Sequence, residues 1–459
     1  MYRRLNGTGW IFFLYLTLLI WAPIPLGSNR PWSWAVLDVW VLLLALAWLA
    51  GFIRGKYVYG PVLRDAWPML LCGTLWVAYV WFQLVPLPVA ILELLSPQSA
   101  RWHIAAALPD TLAMAPLTLD RYATLNSACK STAFVAFFIL SLILLKDRNR
   151  IRIAAYVLIA SGVLQALYGA LISLKSPGQT ASGTFVNHNH YAAYLVMCLS
   201  VGIGVLIASL SDTKSRSWRE FFHNVMQWII TPKMGLRLLL LTMVIALVLT
   251  RSRMGNSAFF ISLLVTGAIG LALSKRATKS MVILLVSLVA IDLFIVGTYF
   301  GTQRVVERIA RTTAATEDRD EVAAYAFSMW KDYPVFGSGL GSFAAVFPRY
   351  SAEGTLETYT HAHNDYVEFA AETGVIGLSL LGLMVLMSFA VALRAQFVRR
   401  DPLMRGLSFA AMMGIIALMI HCSVDFNLQI PANALTFMLL LALAWISLYH
   451  RTAEPGRST

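Results

Sequence analysis

The run His361-Ala362-His363-Asn364-Asp365-Tyr366-Val367-Glu368 continues into Glu372-Thr373-Gly374-Val375-Ile376-Gly377 and joins the chain's only long polar segment to an apolar stretch. Imidazoles and carboxylates at such a boundary can move protons near neutral pH, so the segment reads as a reaction centre. Three other polar clusters interrupt apolar sequence. They are Asn187-His188-Asn189-His190, Thr250-Arg251-Ser252-Arg253-Met254-Gly255-Asn256, and His421-Cys422-Ser423-Val424-Asp425-Phe426-Asn427.

The elements that must position these residues are membrane spans. The 459 residues are 58% hydrophobic and only 13% charged, too apolar for an ordinary soluble domain. Windows able to cross roughly 30 Å of hydrocarbon fall at about twelve places: 10–26, 32–53, 67–94, 129–145, 152–174, 190–210, 236–250, 255–274, 280–300, 366–393, 406–424 and 431–449. The chain divides into spans 1–9 over residues 1–300, a long loop with short helices over 301–365, and spans 10–12 with a tail over 366–459. The first window resembles a signal sequence but lacks a small-residue cleavage site, so it reads as a retained span. The fold class is an all-α polytopic membrane protein.

Basic residues set the orientation, because Lys and Arg in short loops resist export. With the N-terminus inside, the inner connections collect Arg54, Lys56 and Arg64, then Lys146, Arg148, Arg150 and Arg152, then Arg394, Arg399, Arg400 and Arg405, among others. This asymmetry accounts for the net charge of +13 and removes the motive for a nucleic-acid partner. All four polar clusters then fall on the outer side. Charges within spans are few, with Asp38 and Asp292 the clear ones, which argues against a transporter built around midplane residues. The long segment has helical charge spacing from Arg304 to Arg311, an amphipathic pattern from Asp320 to Lys331, and a turn-rich stretch from Pro334 to Ser342. Cys72, Cys129, Cys198 and Cys422 have no pairing or CxxC spacing and read as buried apolar residues.

Tyr333-Pro334-Val335-Phe336-Gly337-Ser338-Gly339-Leu340-Gly341-Ser342-Phe343, then His363-Asn364-Asp365-Tyr366 with Gly374 and Gly377, then His421 through Asn427 and Pro431-Ala432-Asn433, resembles the O-antigen ligase and polymerase superfamily of bacterial envelopes. The resemblance implies a GT-C-type membrane glycosyltransferase of the bacterial inner membrane with its site facing the periplasm. Its implied reaction moves a glycan from a polyprenyl (undecaprenyl) pyrophosphate carrier to an acceptor hydroxyl on lipid A core, protein or another glycan, with no cofactor and no metal.

In that setting His363, at the family's motif position, is the expected base. His361, two residues earlier, would point elsewhere on a helix and orients substrate or is simply exposed. Arg253 resembles the family's Ser-Arg element, with Arg251 beside it, and Arg319 is the expected second anchor for the pyrophosphate, with Arg304 and Arg311 as rivals. Asn364 and Asp365 could cap a helix or touch substrate. Asn187, His190, His421 and Asp425 could bind sugar hydroxyls or link helices through buried hydrogen bonds. Asp318-Arg319-Asp320 spells a metal-binding triplet, but charge at a helix start explains it more simply. Gly337, Gly339 and Gly341 read as a turn, since no Walker lysine follows them. A polymerase joining carrier-linked repeats and a lipid-linked glycan exporter are the alternative functions.

Overall fold

The computed structural model describes residues 8–107, 112–175, 179–209, 233–273, 321–351 and 359–451. In chain order the elements are α1 (Gly9–Trp21), α2 (Pro31–Ile53), α3 (Pro61–Asp65), α4 (Trp67–Phe82), β1 (Leu87–Pro88), α5 (Val89–Leu95), α6 (Pro97–Ala106), β2 (Met114–Ala115), α7 (Arg121–Leu144), α8 (Arg148–Lys175) and α9 (His188–Ala208). They continue with α10 (Lys233–Leu249), α11 (Arg253–Leu273), α12 (321–332), α13 (Phe343–Val346), α14 (Asp365–Val398), α15 (Pro402–Cys422) and α16 (Pro431–Tyr449).

Eight of the described helices, α2, α7, α8, α9, α11, α14, α15 and α16, are long and apolar enough to cross a membrane; α1, α4 and Met234–Leu249 within α10 are shorter apolar helices. The window 280–300, and with it Asp292, lies outside the described residues. Three windows differ from expectation, and the first, 10–26, ends as a helix at Trp21. The short fourth window is part of the 24-residue α7, which starts at Arg121 where Asp120 accepts the Ala123 N–H at 2.9 Å. The third window, 67–94, ends as a helix at Phe82, because Pro86 and Pro88 cannot continue it.

Proline opens α2, α15 and α16 at the first helical position, where its missing N–H costs nothing. α9, α15 and α16 form the dry centre of the bundle, and their long runs of buried residues explain why their sequences are apolar on every side. Close approach of α9 and α15 depends on Gly204 facing Gly406: a Cβ on either would lie 2.3 or 2.2 Å from the other's carbonyl oxygen.

Above one end of the bundle sits a layer that the sequence reading did not anticipate. β1 and β2 pair antiparallel with Leu87 opposite Ala115 and Pro88 opposite Met114, and α5 and α6 fill the connection. Trp102 on α6 and Leu119 pack against Met329, Phe343 and Phe347 from the later segment. Leu119 N–H donates to Ser338 O at 2.8 Å, and the Arg349 guanidinium lies 3.7 Å from the Trp102 ring centroid. The amphipathic pattern from Asp320 to Lys331 does become a helix, α12.

Candidate active site

The first turns of α14 organise this end. Asp365, Glu368 and Glu372 recur at helical spacing, all three buried, and each carboxylate holds a different loop. Asp365 Oδ2 accepts the Leu428 N–H at 3.0 Å, Glu368 Oε2 accepts Ala362 N–H at 2.7 Å, and Glu372 Oε1 accepts Phe343 N–H at 2.8 Å. Asn364 is the N-cap. Its Oδ1 accepts from Tyr366 N–H and Val367 N–H at 3.0 and 3.2 Å, and its amide donates to Ser423 O at 2.9 Å.

α14 is not continuous. Gly374 has φ +59° and ψ −170°, which breaks the helix after two turns. The backbone N–H groups of Val375 and Ile376 donate instead to Pro334 O and Val335 O, while Ser338 N–H and Gly339 N–H donate to Ala371 O and Glu372 O. Gln83 and Tyr79 of the α4 end complete the junction, donating to Phe336 O and to Glu372 O and Thr373 O respectively. The glycine-rich stretch is therefore a turn whose backbone repairs a helix break.

Three imidazoles surround Phe426. His361 stacks on it at 4.2 Å between ring centroids, and His190 and His363 meet it edge-on at 4.5 and 5.0 Å. His361 thus does not point away from His363, as a helix would have required. Residues 359–364 are a loop that turns both rings toward Phe426. His363 adopts φ +50°, a left-handed conformation that costs a β-substituted residue about 1–2 kcal/mol and is held here by its surroundings.

Asp425, beside Phe426 in sequence and 1% exposed, lies between two of these rings. Its Oδ1 is 3.4 Å from His190 Nε2 and 3.6 Å from His363 Nδ1, ion-pair distances longer than a well-formed hydrogen bond. Burial pushes the Asp425 carboxyl up, but the facing His190 and His363 rings outweigh it and hold the group well below the usual aspartate range. His361 Nδ1 has the closer partner, donating to Glu368 Oε1 at 2.8 Å. Burial lowers the His361 value, yet Glu368, Glu372 and Asp365 together raise it above the ordinary one.

An apolar cavity of about 440 Å³ opens beside the cluster, lined by Asp365, Tyr366, Gln429, Lys130, Phe369 and Phe437 among others. Asn187 caps α9 by accepting the Asn189 N–H at 2.8 Å, and His190 O accepts from Asn433 Nδ2 at 3.0 Å. Arg251, also at positive φ (+54°), and Arg253 lie at the α10–α11 connection, on the same end of the bundle, where the Ala181 N–H donates to Leu249 O and Gly255 abuts Ala192. Arg304, Arg311 and Arg319 lie outside the described residues. The structure therefore gathers His361, His363, Asn364, His190, His421 and Asp425, and adds Glu368 and Phe426, which sequence reading gave no role. The acidic spacing at the start of α14 was the available signal.

Comparison with known families bears on this end of the molecule. Residues 238–382 match the O-antigen ligase family model. The match supports the O-antigen ligase and polymerase superfamily, and comparison with curated proteins gives no match. The matched segment contains Arg251, Arg253, His361, His363, Glu368 and Gly374. His190, His421 and Asp425 reach the site from outside it.

Proposed function

We propose that this chain is an O-antigen ligase-like glycosyltransferase of GT-C type. It moves a glycan from a polyprenyl pyrophosphate carrier to an acceptor hydroxyl at the periplasmic face of the inner membrane. His363 is the base that takes the hydroxyl proton, and Arg253, Arg251 and Arg319 stabilise the charge that develops on the pyrophosphate.

The observation that carries this reading is the setting of His363. Its Nδ1 faces a buried anionic Asp425 while 22% of the side chain stays exposed, so Nε2 is the nitrogen free to meet a substrate. A carboxylate behind an imidazole fixes the tautomer and stabilises the imidazolium formed when the proton arrives. The apolar cavity beside the cluster suits the hydrocarbon of a lipid carrier.

The test is reconstitution of the full chain with a defined carrier-linked glycan and candidate acceptors, with the product identified by mass. His363→Asn is expected to abolish transfer. Undiminished transfer by that variant would remove the base, and product that retains the carrier would identify a polymerase.

A further inference from the structure

Two imidazoles separated by one residue border the same phenylalanine ring, yet their carboxylates hold them differently. Glu368 Oε1 accepts from His361 Nδ1 at 2.8 Å, whereas Asp425 Oδ1 stands 3.6 Å from His363 Nδ1. Glu368 is 1% exposed and its second oxygen is fixed by Ala362 N–H, so it is a rigid anion behind His361. With Nδ1 engaged, His361 offers Nε2 to the site, and 29% of its side chain remains exposed. The closely paired imidazole is the better held as a cation and the loosely paired one the freer to take up a proton, which suits the two rings to different proton-transfer tasks.

We infer that His361 is the general acid of the proposed transfer, donating its Nε2 proton to the leaving pyrophosphate as the imidazolium paired with Glu368. The inference rests on the reading of the preceding subsection. In the step, the acceptor oxygen bonds to the anomeric carbon, and the bond from that carbon to the phosphate oxygen breaks with its electron pair kept by oxygen. The hydroxyl proton passes to His363 Nε2, and the His361 Nε2 proton passes to the departing phosphate. Charge is conserved, and exchange with solvent resets both rings. Glu368 is a positioning residue: it orients His361 and favours its cation.

The groups that face His361 agree with this assignment. Glu368, Glu372 and Asp365 on α14 favour the charged ring against the effect of burial. On Phe426's other edges stand His363 and His190, with the Asp425 carboxyl group between them.

The test measures kcat and KM against pH for the full chain in lipid with one carrier-linked donor and one acceptor. Wild type should give a bell-shaped kcat profile whose alkaline limb reports loss of the His361 proton. His361→Asn should lower kcat by about a hundredfold or more, leave KM within a few-fold, and remove the alkaline limb. Glu368→Gln should move that limb to lower pH, and Glu368→Asp should bring it back toward wild type. An unchanged kcat with the limb intact in His361→Asn overturns the assignment, as does a KM effect alone in a variant of normal thermal stability. If His361→Asn fails to fold, the Glu368→Gln profile decides, and an unmoved limb there overturns it. Inactive His363→Asn with unaffected His361→Asn ends only this inference, whereas active His363→Asn ends the underlying reading.

Discussion

The two ends of the bundle differ in how their ion pairs meet solvent. At one end Arg451 meets Asp65, Arg150 meets Asp147 and Arg148 meets Asp401, with at least one partner of each pair well exposed. At the other end Asp365, Glu368, Glu372, Asp425, His190 and His421 are buried, and several of their polar atoms have no hydrogen-bond partner among the described residues, including Asp365 Oδ1, Asp425 Oδ2 and His421 Nε2. Solvated pairs cost the fold little and fit a role in membrane orientation. Buried, incompletely paired groups are expensive, and such expense is characteristic of sites built for chemistry.

The sharpest way to break this contrast is at His363. Asn tolerates the left-handed backbone at this position, so His363→Asn should fold. Its transfer rate should fall by about 10²–10⁴-fold while its unfolding temperature stays within a few degrees of wild type. A large drop in unfolding temperature would mean that the imidazole serves packing and that the two ends differ less than proposed.

Gly374→Ala should act through the backbone instead. A Cβ there would lie 2.1 Å from Val335 O at φ +59°, so the segment 334–342 must leave the helix break. Destabilisation of about 1–3 kcal/mol or more is expected, read as a lower unfolding temperature with activity falling in step. An Ala variant as stable and active as wild type would show that the junction is not needed to hold the carboxylates of α14.

Glu368→Gln separates the ends by pH. The His361 value is raised in the fold, so its contribution to stability is fully present below the ordinary histidine value and is lost as pH rises through the raised one. Unfolding followed from acid to alkaline pH should show that decline in wild type and a flatter curve in Glu368→Gln. An identical decline in both would assign it to another group.

Much of the bundle was legible because membrane spans need little more than an uninterrupted apolar run. The windows over α2, α8, α9, α15 and α16 follow from that requirement alone. The window 67–94 failed because apolar composition continues past Phe82, although Pro86 and Pro88 marked the stop. The site was legible in its residue types and only partly in its pairings. Asn364 could be read as a cap, since a cap acts on the next few residues. Asp425 meeting His190, or Glu368 meeting His361 across a loop, depends on tertiary closure. The break at Gly374 was hidden for the same reason: the apolar pattern runs through it, and only carbonyls supplied from 334–335 make it tolerable.

The smallest effect should come from the opposite end. Arg451 is largely exposed, its side chain 66% accessible, and its contact with Asp65 spans 3.3 Å. Arg451→Ala should change stability by less than about 1 kcal/mol, because solvent screens the attraction and the long side chain regains its freedom. Transfer should be unchanged, since nothing at this end touches the imidazole cluster. Raising the ionic strength should erase whatever difference remains, whereas it should leave most of the effect of Glu368→Gln in place, because Glu368 is buried and the part-buried pair at 2.8 Å is screened less. Equal salt sensitivity of the two variants would collapse the distinction between a solvated charge and a dry one on which the assignment of the two ends depends.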